Sequence, residues 1–319
     1  MATPLRCIIP PTVSKIRGVM DPHSAFNEVA MYTLEQIFEY INMPKECAKL
    51  SLECLERHKD TDTFVSLKER FFKGEEVKDE LYDHAEAVGE PFRLVYMAFC
   101  LYCVDRMYDI YMSMGLSDKV YLDSLIDLRV WALTCMRNYG EWGMQEFDWL
   151  KHALRGKVIR LGRLQFETTV YEYGPDCYDK HGVSVNKEEQ VIGVHIPEDG
   201  PFTPEQTLDS LKQAYAYFKN PFFVCESWLL YPPQYDFLKP ESNIIKFMDH
   251  FDIVYVRELT NRQDMWRIFG MRESYDPKDL PRDTSLQRGY AEHLEKTGVN
   301  GWGYGVLIFD GEKILTQKS

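Results

Sequence analysis

The chain has 319 residues, of which 45% are hydrophobic and 27% charged. These are globular proportions, so whole-chain disorder, a collagen-like repeat and a coiled-coil rod are excluded, and the length suits two domains. With 37 Lys+Arg against 50 Asp+Glu the formal charge is −13, a field that repels polyanions, so neither nucleic acid nor an anionic membrane is an expected partner.

The first half reads as helix. Ser24 caps a helix that begins Ala25-Phe26 and continues to Ile41. Pro44 opens a second helix through Leu55, and residues 62–72 and 75–88 give two more. Gly89-Glu90-Pro91 is a break and restart. Residues 91–114 then read as one long apolar helix ended by Gly115, Ser117 or Asp118 caps a helix to about 138, and a last one covers 144–154.

The texture changes at Arg155-Gly156-Lys157. Residues 158–173 alternate as strands do, 179–189 read as a hairpin loop, and 191–197 as another strand. Glu198-Asp199-Gly200-Pro201 turns into a helix with Thr203 as N-cap, Pro204 at the first position and Gln206 completing a capping box. After it come an apolar strand over 222–230, a helix from the Ser242 cap to 250 and a strand over 251–257. Helices over 261–269 and 284–296, a glycine-rich strand over 302–309 and an Asp310-Gly311 turn complete the chain. The expected fold class is therefore α+β: an all-helical N-terminal domain, residues 1–155, followed by a mixed-sheet α/β domain, residues 156–319. Residues 1–18 lack the apolar core of a signal peptide, and the apolar run between Arg93 and Asp105 is too short to span a bilayer. A cytoplasmic location is expected, with the eight dispersed cysteines as buried reduced thiols.

Four places carry candidate chemistry. The strand–turn–helix unit from Val191 to Phe218 aims a helix N-terminus at a strand end, an anion site by geometry, with Gly200 allowing close backbone approach. Glu198 and Asp199 beside the turn oppose a phosphate there. Glu226 and His195 are polar residues inside apolar strands, and either suits a general base in a polar cleft. Arg282, ahead of the helix that Asp283 or Thr284 caps, can reach an anion or stand solvated. The glycines of Gly301-Trp302-Gly303-Tyr304-Gly305 mark a bulge or close backbone approach. No metal set is legible: Cys100-x-x-Cys103 lies in an apolar helix with no second pair or His at ligand spacing.

The segments Val194-His195-Ile196-Pro197, Ser227-Trp228-Leu229-Leu230, Leu238-Lys239-Pro240-Glu241-Ser242-Asn243 and Leu280-Pro281-Arg282-Asp283-Thr284 resemble the GNAT-like C-terminal domain of a bacterial N-acyltransferase family. The first half is similar to that family's helical N-terminal domain. The resemblance implies transfer of an acyl group from acyl-CoA, a co-substrate, to an unidentified amine. It implies a V-shaped opening between strands 191–197 and 222–230, with pyrophosphate on the helix that starts at Thr203. By resemblance, Ile196, Gly200, Phe202, Thr203, Ser242 and Asn243 contact CoA. Glu226 or His195 is the base, and Tyr235 or Tyr231 stands in for the Tyr acid that many such enzymes carry nearer Phe247. The usual Gly-rich pyrophosphate motif is missing, and Pro201 and Pro204 remove two N–H donors from the cradle. The alternative is a non-catalytic ligand- or peptide-binding protein on a degenerate GNAT fold.

Overall fold

A computed structural model describes residues 32–261, 265–270 and 276–318. The expected helix start at Ser24 and the reading of residues 1–18 lie outside the described residues, as does part of the helix expected over 261–269. From Tyr32 on, the chain forms one compact unit.

The helical part runs α1 (Leu34–Ile41), α2 (Lys45–His58), α3 (Asp62–Phe72), α4 (Lys78–Val88), α5 (Phe92–Tyr102), α6 (Val104–Ser113), α7 (Asp118–Ser124), α8 (Ile126–Tyr139) and α9 (Phe147–Leu154). Thr33 caps α1 through a capping box with Gln36. The single helix expected over 91–114 is two. At Cys103 ψ opens to −7° and its N–H bonds back three residues to Cys100, so the axis breaks between α5 and α6. The helix expected over 118–138 breaks likewise at Leu125, where ψ is −10°.

The second part continues with β1 (Val158–Leu161), β2 (Leu164–Val170), β3 (Cys177–Lys180), β4 (Val183–Asn186), β5 (Gln190–His195), α10 (Pro204–Phe218) and β6 (Phe222–Ser227). A short α11 (Gln234–Phe237), α12 (Asn243–Met248), β7 (Asp252–Leu259), α13 (Met265–Phe269), α14 (Ser285–Thr297) and β8 (Asn300–Ile308) complete it. Thr203 and Thr284 each close a capping box, with Gln206 and Gln287. Three readings change. Residues 158–170 are a hairpin, turned at Gly162 where φ is +69°, a conformation glycine adopts without cost. The polar stretch after 176 is itself a two-stranded ladder, β3–β4. The strand expected to reach Leu230 ends at Ser227, whose hydroxyl accepts from the Leu229 N–H and turns Trp228–Leu230 into a 3₁₀ turn.

Six strands form one mixed sheet in the order β1-β2-β5-β6-β8-β7, with β5 and β6 parallel across the α10 crossover. Ile192, Val194, Phe166 and Phe223 pack on one face against Leu211 and Ala214 of α10. That core runs unbroken into the helical part, through Phe99, Met107 and Phe147. On the other face, Tyr178 and Val185 of the β3–β4 ladder cover Val191, Val224 and Tyr304. Tyr111 of α6 pins the junction, donating from its hydroxyl to the carbonyls of Ala153 (3.2 Å) and Val158 (3.1 Å).

Candidate active site

The parallel ladder between β5 and β6 holds only Ile192 with Phe223 and Gly193 with Val224. Both strands run on, to His195 and Ser227, without pairing to each other. Beyond Gly193 they bound a cleft of 490 Å³, with Val194 and His195 on one side and Glu226 and Ser227 on the other. Backbone groups that face the gap have no ladder partner and are open to a ligand. The helical part supplies another wall, with Asp127, Trp131 and Trp149, while Trp228 and Trp302 come from the sheet part.

His195 is fixed by its neighbours. Register places Gln165 opposite it and Glu167 opposite Gly193, all on one face. His195 Nε2 lies 2.8 Å from Glu167 Oε1, and the ring meets Trp149 edge-on at 4.7 Å between centroids. Gly193 gives Glu167 its room, since a Cβ there would stand 3.1 Å from Glu167 Cγ. Burial pushes the Glu167 carboxyl's pKa up, but the hydrogen bond and charge of His195 outweigh it and the net shift is downward. Sequence reading passed over Glu167 because it sits in regular strand alternation. The signal was its register opposite Gly193, which needs the β2–β5 pairing to be known. Glu226 lines the opposite wall and is exposed.

Asp127, in the first turn of α8, is buried. One oxygen accepts from Gln165 Nε2 (2.8 Å) and Trp149 Nε1 (3.2 Å). Burial, the largest influence, raises its pKa against those hydrogen bonds. Its other oxygen, Trp131 Nε1, and Nε and Nη1 of Arg163 are buried without a hydrogen-bond partner among the described residues, and all three residues line the cleft. Buried polar atoms are rarely left so, and a cluster of them facing one hollow marks a place for a polar ligand or water.

The acidic loop is not electrostatically bare. Asp199 is held by Arg129 and by Arg160 (2.8 Å), and Glu198 by Arg137 (2.7 Å). Arg163 donates to the Gly200 carbonyl at 2.6 Å. Four guanidinium groups thus surround two carboxylates, and the expected opposition to phosphate is cancelled locally. A second, open hollow of 600 Å³ lies here at the first turn of α10, lined by Lys119, Arg160 and Arg163 and also by Asp123, Asp199, Glu205 and Asp209. Burial raises the Asp199 carboxyl's pKa, but the Arg160 hydrogen bond and the surrounding Arg charges outweigh it, leaving it below the ordinary 3.8. A depressed carboxylate pKa contributes stability that is complete above the unfolded value and is lost as pH falls through the folded one. Asp199→Asn should therefore flatten the loss of stability on acidification below about pH 5, read by chemical denaturation across pH.

Of the residues singled out in the sequence, the cleft brings together His195, Glu226, Ile196, Gly200 and Phe202. Six stand elsewhere. The Tyr231 ring is buried and its hydroxyl points to Glu258 at 3.5 Å. Tyr235 donates to Asp249 (3.0 Å) and accepts from Lys318 (2.6 Å). Neither tyrosine lines the cleft, nor does any other described tyrosine. The side chains of Thr203 and Ser242 are used as helix caps, accepting from the N–H groups of Gln206 and Ile245. Ile244, not Asn243, reaches the cleft. Arg282 pairs with Glu295, and so is not aimed at an anion.

Residues 158–307 match the sequence profile of the GNAT-like C-terminal domain. Residues 32–156 match that of the N-acyltransferase N-terminal domain. The chain belongs to the family in which these two domains follow one another. Among curated proteins no relative matches. Among solved structures, an acyltransferase in complex with decanoyl-CoA and teicoplanin is similar at 22% identity and a TM-score of 0.66, over 86% of each chain. An acyltransferase mutant in complex with octanoyl-CoA gives 22% and 0.68, over 86% of this chain and 87% of that one. A third, in complex with CoA and 10C-teicoplanin, gives 22% and 0.66, over 86% of each. At that identity the likeness is one of fold. Among the described residues, no helix is long and apolar enough to cross a membrane.

Proposed function

We propose that the protein is an acyl-CoA-dependent N-acyltransferase. The observation that carries this reading is the His195–Glu167 pair, 2.8 Å apart, at the mouth of a split parallel strand pair. With Nε2 given to Glu167, Nδ1 is the nitrogen that takes a proton from the acceptor amine. The amine nitrogen bonds to the thioester carbonyl carbon, the C–S bond breaks, and the proton held on His195 passes to the departing sulfur. Backbone N–H groups facing the gap beyond Gly193 stabilise the developing oxyanion. The arginines paired with Glu198 and Asp199 offset the acidity of the loop ahead of α10, which favours a phosphate-bearing donor there. They answer the acidity of that loop, one of the two grounds for a non-catalytic reading, while the N–H donors removed by Pro201 and Pro204 remain the other. The acceptor end is walled by Trp131, Trp149, Trp228 and Trp302, which suits an amine on an apolar or aromatic body. The fold neighbours crystallised with acyl-CoA and a glycopeptide point the same way.

The test is a series of CoA thioesters from acetyl to decanoyl at millimolar concentration. At least one should raise the melting temperature, and at 100-fold excess over Kd the gain is about 2.7 kcal/mol. CoA release, followed chromatographically over a panel of amines, should accompany it. No shift with any chain length and no release with any amine would sink the proposal.

A further inference from the structure

We propose a metal site, independent of the acyl-transfer reading, formed by Cys54, His58 and Glu90 at the joint between α2 and the α4–α5 turn, with zinc as the metal that its donors fit. Cys54 Sγ, a ring nitrogen of His58 and a Glu90 oxygen lie within 4.8 Å of one another. Cys54 and His58 are one helical turn apart on α2 and so share a face. Glu90 follows the α4 C-cap Gly89 and precedes the α5 N-cap Pro91, which fixes its backbone on both sides.

The sulfur and the imidazole each stand about one ligand–ligand edge from an oxygen of the Glu90 carboxylate, one from each oxygen. Cys54 Sγ is 3.3 Å from Glu90 Oε2, and His58 Nε2 is 3.2 Å from Glu90 Oε1. Bonds of about 2.3 Å to sulfur and 2.0–2.2 Å to nitrogen and oxygen give ligand–ligand edges of about 3.3–3.7 Å in a tetrahedron. His58 is 4% exposed, yet its Nε2 makes no hydrogen bond, despite standing beside a carboxylate. Its other nitrogen is engaged: Nδ1 lies 3.0 Å from His84 Nε2. With the proton on Nδ1 and donated to His84, Nε2 presents a lone pair to the trio, the tautomer a metal ligand needs. The Cys54 thiol proton lies toward Glu90 Oε2, and a metal ion would take that proton's place with the His58 lone pair as a further donor.

Glu90 is also gripped by Arg57, Nε to Oε1 at 2.6 Å and Nη2 to Oε2 at 2.9 Å. Each carboxylate oxygen has a second lone pair, so Arg57 acts as the outer partner that orients a ligating carboxylate. Phe64, 5.3 Å from the His58 ring and 5.7 Å from that of His84, supplies an apolar flank. Cys54 binds as thiolate, its proton passing to solvent, and water takes the fourth position. Thiolate with imidazole and one carboxylate is a set for zinc rather than for magnesium or calcium.

The full-length chain, stripped with a chelator, should bind one Co²⁺, with a sulfur-to-cobalt charge-transfer band and the strong visible bands of a tetrahedral site. Zn²⁺ should displace it and raise the melting temperature. Cys54→Ser should lose the charge-transfer band, whereas Cys177→Ser, at an exposed cysteine elsewhere, should keep it. His84→Ala should weaken binding about 10–100-fold through the lost tautomer lock. If Cys54→Ser fails to fold, Glu90→Gln and His58→Asn are measured by the same bands, and each should weaken cobalt binding by more than the His84 variant does. Absence of a charge-transfer band in the parent chain overturns the proposal. So does a band that survives in Cys54→Ser, or cobalt binding unchanged in Glu90→Gln and His58→Asn.

Discussion

His195→Ala should lower kcat/KM for acyl transfer by about 10²- to 10⁴-fold, the usual worth of a positioned general base. The melting-temperature shift with acyl-CoA should survive, because no donor contact is removed. The direction follows from how the ring is held. Glu167 occupies Nε2, Trp149 fixes the ring plane, and the side chain is 30% exposed, enough to meet an incoming amine. Glu167→Gln should cost less than His195→Ala and fall mainly on kcat, since Gln165, Trp149 and the cleft walls still receive the substrate. Glu226→Gln is the companion variant. If it abolishes turnover while His195→Ala retains it, the base lies on the β6 side and the assignment above is wrong. CoA release at matched acyl-CoA saturation measures all three.

Gly303→Val should be the most destabilising single change in the sheet part, costing more than about 3 kcal/mol, or preventing folding altogether. A Cβ at Gly303 would stand 2.2 Å from the Leu230 carbonyl oxygen and 2.9 Å from its carbon. Those are backbone atoms of the 3₁₀ turn that crosses β8, and they cannot rotate aside. Gly298→Ala is the contrast. It has φ +72° but nothing within 4 Å of a Cβ, so its cost is backbone strain alone, about 1–2 kcal/mol. Denaturant unfolding of both variants separates steric exclusion from conformational strain. Trp228 and Leu229, which line the cleft, ride on the same turn, so a partly folded Gly303 variant should also bind acyl-CoA poorly.

What was legible in the sequence was local. Thr203 with Pro204 and Gln206 wrote the start of α10, and Ser242 the start of α12. The spaced glycines of β8 signal a bulge or close backbone approach, and the structure shows the latter: at Gly301, Gly303 and Gly305 backbone or side-chain atoms stand within 3 Å of where a Cβ would be. What was not legible depends on pairs far apart in the chain. Arg129 meets Asp199 across 70 residues and Asp127 meets Gln165 across 38, so neither the balanced charge of the loop nor the polar floor of the cleft could be read from neighbours. Cys54 and Glu90 are 36 residues apart, and a search for ligands at short spacing passes over them. Tyr231 and Tyr235 follow β6 closely in sequence, which is all that points to them as acids. The 3₁₀ turn at Trp228 redirects the chain there, and both hydroxyls go elsewhere.

Helix α8 carries residues of two different kinds on one rod of 14 residues, about 21 Å long. Asp127 and Trp131 border the cleft, while Arg129 and Arg137 grip the loop that leads into α10. Such a rod cannot tilt at one end and stay still at the other. A shift of the loop that holds Glu198 and Asp199 is therefore expected to carry Asp127 and Trp131 with it.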